Sequence, residues 1–255
     1  MEKKLLNEMF ENLLHIGNKK NYWNPKMREY IYGSVNGIHV INLVETAKKL
    51  EEVKKELEKL SKEWKKILFV ATKLQARDAF SKLAEETGNF YVTEKWVPGL
   101  LTNFKTIRKR IATYMRLLKE KANNAFDILP KKEKAKKLLE LSKLDKAFKW
   151  LKEMKKLPDV IFVVDGAFDA QAIKEANSLK MPVYAILNTN GDPDKVTNFI
   201  PANTNSVKSL DYLADSLKKV LAKISYKKSV PKKLTDRKKT TKKTVVKKVA
   251  KKEEK

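Results

Sequence analysis

The sequence predicts an open, doubly wound α/β sheet, and three apolar runs carry that prediction. Val160 to Val164 and Val183 to Leu187 are continuous apolar runs separated by a helical stretch across 170–180. Strands buried on both faces read as such unbroken runs, and a helix between two of them makes the parallel crossover. An earlier run, Ile67 to Ala71, is likewise followed by a helix. That helix carries Leu74, Ala79, Phe80 and Leu83 and ends at Gly88, a left-handed cap.

The remaining elements follow from periodicity. Leu5, Met9, Phe10, Leu13 and Leu14 open the chain as a helix that stops at Gly17, and a basic loop follows. Tyr30 to Tyr32 and Ile38 to Ile41 form a hairpin with its turn between Gly33 and Gly37. Leu43, Leu50, Val53, Leu57, Leu60 and Trp64 mark an amphipathic helix with Lys and Glu outside. Phe90 to Val92 and Phe199-Ile200 add short strands, and Val207, Leu210, Leu213, Leu217, Val220 and Ile224 mark the closing helix.

One stretch breaks the alternation. Ile107, Ile111, Tyr114 and Leu118, and then Leu141, Leu144, Phe148 and Leu151, recur at threes and fours. They predict two long helices packed as an antiparallel hairpin, interrupted at Asn123-Asn124 and Leu129-Pro130. The expected organisation is therefore an α/β core from 1–103 and 158–226, a projecting hairpin over 104–157 and a basic tail over 227–255. The tail holds 14 basic and three acidic residues and no aromatic, a composition that is disordered in isolation and often binds nucleic acid, the alternative being a solubilising tail.

Composition bounds the function. A chain of 255 residues that is 42% hydrophobic supports one main core with an appendage. It has 57 basic against 31 acidic residues, a net charge of +26, which favours a polyphosphate partner through counterion release. There is no cysteine, so disulfides and thiolate metal sites are excluded and a reducing compartment is expected. The apolar runs are too short to span a bilayer, and Asn7, Glu8, Glu11 and Asn12 interrupt any signal-peptide core. No membrane role is expected.

Two segments carry the chemistry. In the first, Lys19, Lys20, Lys26 and Arg28 meet phosphates, Tyr22 and Trp23 offer stacking faces, and Asn24 reads an edge or a 2′-hydroxyl. The alternative for Trp23 is a core plug under the hairpin. The second segment begins at Lys95-Trp96 and continues through Thr102, Asn103 and Lys105 to Arg108, Lys109 and Arg110. Here Thr102 or Asn103 caps a helix whose freed amides face a phosphate, and the cations extend the charge over the first turns. Lys73 and Arg77, one turn apart beyond the first central strand, form a further phosphate candidate.

Catalytic signals are sparse. His15 and His39 are the only histidines, and a packed or hydrogen-bonded role is favoured over metal binding for both. Asp165, Asp192 and Asp194 lie just past strand ends, where α/β enzymes place catalytic groups, and Asp169 is positioned to cap the next helix. The chain contains no glycine-rich or Gly-Lys-Ser/Thr phosphate loop and no nucleophile motif, so no cofactor is expected. Two classes remain, an RNA-binding scaffold and a nucleotide-binding α/β enzyme with a basic surface.

The segments Asn21 to Met27 and Lys95 to Ile107 resemble signatures of the bacterial small-subunit ribosomal protein S2 family. Leu68 to Ala76, Pro158 to Asp165, Glu175-Ala176, Asn188 to Pro193 and Ile200 to Asn203 resemble further motifs of that family, in family order over about 5–224. The resemblance implies a Rossmann-like or flavodoxin-like sheet with a projecting helical hairpin, docked on small-subunit ribosomal RNA in the cytoplasm. It also implies neighbouring ribosomal proteins as partners, among them the large messenger-binding protein S1. The chain departs from the family pattern at Asn18, usually histidine, and at Val97-Pro98, which precedes Gly99. It also has no glycine pair near Phe148 to Leu151, which predicts a continuous helix there, and no acid in Ala202 to Asn205.

Overall fold

In the computed structural model, Leu68 lies beside Phe90 on one flank and Ile161 on the other, and both pairings are parallel. The described residues are 2–225 apart from 152, 153 and 155, so the tail over 227–255 lies outside them. Five parallel strands form the main sheet: β4 (Ile67–Val70), β5 (Phe90–Val92), β6 (Val160–Val163), β7 (Val183–Leu187) and β8 (Asn198–Pro201). Their spatial order is β5-β4-β6-β7-β8, so the second strand of the sheet lies outside the first and the rest follow outward. This is the flavodoxin-like order, with its switch point between β4 and β6.

The period of two along each strand builds two cores. Ile67 and Phe69 join Phe80, Phe162, Ile186, Leu213 and Leu217 on one face. That face is covered by α1 (Glu2–Glu11), α2 (Leu43–Lys62), α3 (Arg77–Thr87) and α7 (Val207–Ser225). Leu68 and Val70 turn the other way and join Ile161, Val163, Ala172, Ile173 and Ala176, the last three on α6 (Ala170–Ser178).

The same second cluster runs through Leu100 and Leu101 into Ile107, Ile111, Tyr114, Leu141, Leu144 and Phe148. These last six lie on α4 (Phe104–Ala122) and α5 (Lys131–Phe148). The hairpin is thus rooted in the sheet by apolar packing, each buried leucine contributing on the order of 1.5 to 3 kcal/mol. Glu120 pairs with Lys137 and Tyr114 with Asp145, so the two helices run antiparallel.

Several elements differ from the sequence reading. The opening helix ends at Glu11, because Leu13 takes a left-handed conformation at φ 61° and turns the chain. The expected basic loop starts with a strand, β1 (Ile16–Lys19), antiparallel to β3 (Ile38–Ile41), which also pairs with β2 (Ile31–Val35). The hairpin turn is tighter than Gly33 to Gly37. Asn36 and Gly37 both have positive φ, 49° and 77°, the two-residue geometry that matches strand twist. Trp64 lies outside α2 at φ 63°, and the continuous helix expected through Leu151 gives way to a 3-10 turn over Lys149–Leu151.

Candidate nucleic-acid interface

The small antiparallel sheet sits over the carboxyl end of the large one and places the first basic segment there. Asn18 N donates to Thr189 Oγ1 at 3.0 Å, and Asn24 N donates to the Thr189 carbonyl at 2.8 Å. Asn203 donates from its side chain to the Leu13 carbonyl and from its backbone to that of Leu14. Gly17 is required by this closeness. A Cβ there would lie 2.7 Å from Thr189 Cγ2 and 2.9 Å from the His39 carbonyl oxygen.

Within that segment, Asn24 accepts from Lys26 N at 3.1 Å and so caps the 3-10 turn Pro25–Tyr30. The turn drives Met27 into the core, fully buried, and leaves Arg28 outside. Lys19, Lys20 and Tyr22 are exposed. Trp23 is only partly covered. Its ring lies 5.3 Å from that of His39, and it remains 37% exposed. Lys26 is not a free cation, since its ammonium pairs with Asp194 at 2.5 Å and Asp192 at 3.2 Å.

The switch point is closed by the chain itself. Lys73 donates to Asp165 Oδ2 at 2.8 Å and Asn205 Oδ1 at 2.6 Å, and lies 3.4 Å from Thr204 Oγ1, which in turn donates to Asp165 at 2.8 Å. Asp165 Oδ1 takes the amides of Ala167 and Phe168. Arg77 is similarly occupied, by the Thr72 and Glu94 carbonyls and the Glu94 carboxylate. The phosphate role expected of Lys73 and Arg77 therefore meets groups already partnered inside the protein. Asp169 accepts from Thr72 Oγ1 at 2.6 Å and makes no side-chain cap to α6, contrary to the capping expectation. Burial pushes its carboxyl up to about 6.

The second segment is organised from beneath by Glu175. This buried carboxylate on α6 takes Trp96 Nε1 at 3.0 Å, Gly99 N at 2.8 Å and Leu101 N at 3.1 Å. Burial alone would raise its pKa, but the hydrogen bonds from Trp96, Gly99, Leu101 and Thr102 together hold it below the usual carboxylate range. Trp96 is consequently 6% exposed and faces the core, which corrects its expected place among the RNA contacts. Its flanking polar residues suggested a surface ring. The sequence signal that would have found the pairing is Glu175 itself, an acid among Ala172, Ile173 and Ala176 on the buried face of α6.

Glu175 thereby fixes the loop that launches α4. Lys95, Thr102, Asn103, Lys105, Arg108, Lys109 and Arg110 all stand exposed around that start. Asn103 occupies the cap position without a side-chain hydrogen bond, and the first turn has no acid. Lys105, Arg108, Lys109 and Arg110 make no ion pair among the described residues, unlike Lys26, Lys73 and Arg77. Four cations around the positive end of a helix repel one another and its dipole, and an anion relieves both.

Residues 9–223 match the family model described as ribosomal protein S2. The chain belongs to the ribosomal protein S2 family. The S2 assignment joins the flavodoxin-like sheet to the small ribosomal subunit, in agreement with the ordered motifs of the sequence. His15 stacks on Phe10 at 4.3 Å and His39 is buried under Trp23, so both histidines are packed. Among the described residues no cluster of His, Cys, Asp or Glu is placed to hold a metal, and no helix is long and apolar enough to cross a membrane.

Proposed function

We propose that this S2-family chain is a structural component of the cytoplasmic small ribosomal subunit, held on its ribosomal RNA by two ordered basic surfaces. The first is Lys19, Lys20, Tyr22, Trp23, Asn24 and Arg28 on the small sheet. The second is Lys95, Thr102, Asn103, Lys105, Arg108, Lys109 and Arg110 at the root of the hairpin. The observation that carries this reading is the cluster of Lys105, Arg108, Lys109 and Arg110 at the start of α4, without an ion pair among the described residues, behind a loop anchored by Glu175. Its backbone is already fixed in a helix, so binding an anion there orders side chains without a further backbone cost. The tail over 227–255 adds an excess of eleven positive charges to steer encounter. Family membership supports neighbouring ribosomal proteins, S1 among them, as further partners.

Binding to small-subunit RNA is expected to weaken steeply with salt, with a log-log slope of several units if ~6 to 8 phosphates are neutralised. A filter-binding titration with a slope near zero would remove the electrostatic basis of this reading. The competing class, a nucleotide-binding enzyme, is addressed by calorimetry with ATP, GTP and NAD. Saturable micromolar binding of any of them favours it.

A further inference from the structure

Beyond the carboxyl ends of β4 and β6 lies a cavity of about 370 Å³, within the range of small-molecule sites. Two aromatic side chains line it from different parts of the chain, Tyr22 after β1 and Phe168 before α6. Both are strongly exposed, at 66% and 64%. A single exposed ring needs no explanation, but two rings on one polar cavity present stacking faces that the protein leaves uncovered.

We propose that this cavity receives one unpaired base extruded from an RNA strand, stacked against Tyr22 or Phe168 or between them. The cavity walls suit a neutral polar heterocycle. Lys73 and Asp165 neutralise each other, and their donors and acceptors are used within the protein, so an isolated phosphate or metal ion finds no free charge there. Asn190 and Asn205 also line the cavity, and side-chain amides carry both donors and acceptors suited to a base edge. Lys19 and Lys20 stand exposed three and two residues before Tyr22, where they can follow the backbone on either side of the base. Paired bases are stacked inside their duplex, so the occupant comes from a loop, bulge or single strand.

This inference rests on the RNA-binding reading and goes further by naming a pocket and a base. The test uses the full chain and a ten-nucleotide single-stranded RNA with one central 2-aminopurine, compared with the same strand in a duplex. Stacking in the cavity is expected to quench the single strand's fluorescence and to leave the duplex unchanged. Tyr22→Ala with Phe168→Ala is expected to abolish the quench and to weaken binding about tenfold or more. Tyr22→Phe with Phe168→Tyr restores both, whereas Lys19→Ala with Lys20→Ala weakens binding but keeps the quench at saturation. Both aromatic positions are exposed, so an unchanged thermal melt is expected for these variants. Quenching that survives the double alanine variant, or absent quenching in a chain that still binds small-subunit RNA, overturns the pocket. Failure to bind either RNA overturns the RNA-binding reading itself.

Discussion

Glu175 and Trp96, 79 residues apart in sequence, are joined by a 3.0 Å hydrogen bond from the indole to the carboxylate. Because the same carboxylate also takes the Gly99 and Leu101 amides, one buried charge shapes the loop that leads into α4. Removing it leaves several donors unpaired at once. Glu175→Ala is expected to destabilise the fold by about 2 to 4 kcal/mol and to loosen the α4 cation cluster. The carboxyl is held below its ordinary range, so its stabilisation is present at neutral pH and lost as pH falls through the folded value. Urea unfolding at pH 7 and at pH 3.5 measures this. The deficit of the variant should shrink at the lower pH.

Asp169 has the opposite sign. Its folded pKa of about 6 lies above the ordinary 3.8, so the native state binds the proton more tightly and stability falls as pH rises from about 4 to 6. Asp169→Asn keeps an acceptor for Thr72 and removes the buried charge. The variant is expected to be more stable by roughly 1 to 3 kcal/mol at pH 7.5 and nearly unchanged at pH 4. An equal shift in the urea midpoint at both values would contradict the assignment.

Gly17→Ala places a methyl against Thr189 and the His39 backbone. The backbone cannot move aside without breaking the contact of β1 with the large sheet, so a loss of about 1 to 3 kcal/mol is expected. Hydrogen exchange should show the loss concentrated in residues 16–42, and uniform loss across the core would speak against local strain.

The charged surfaces differ in what each cation already does. Arg108→Ala with Arg110→Ala is expected to cost about 1 to 3 kcal/mol of subunit affinity. Lys26→Ala should cost less, since Asp194 and Asp192 already neutralise that ammonium. Deleting 227–255 should mainly slow association and flatten the salt dependence. Competition on subunits depleted of this protein, at two salt concentrations, compares the three. Assembly abolished by the deletion but untouched by the arginine pair would exclude the ordered surface.

The parallel strands were legible because burial on both faces leaves unbroken apolar runs, as in Val160 to Val164. The hairpin was legible from the threes and fours of Ile107 to Leu118. Strand β1 was not, because four residues containing Gly17 and Asn18 have little strand preference and pair only through β3. Among the basic residues, the sequence showed which side chains carry charge but not which were already spent. Lys73 and Arg77 look as free as Arg108 until Asp165 and Glu94, 92 and 17 residues away, are brought beside them.

The stitching of Asn203 to Leu13 and Leu14 has a consequence for biogenesis. The ribosome makes residues 13–24 early, yet their docking partners Thr189 and Asn203 emerge some 170 to 190 residues later. Contacts of such separation form late and slowly. The amino-terminal basic segment is thus synthesised first and shaped last, so a nascent or truncated chain lacks one of its two ordered basic surfaces until β8 has left the exit tunnel. Limited proteolysis of stalled nascent chains should find residues 13–24 cleavable until about residue 205 is free of the tunnel, and early protection would disprove the delay.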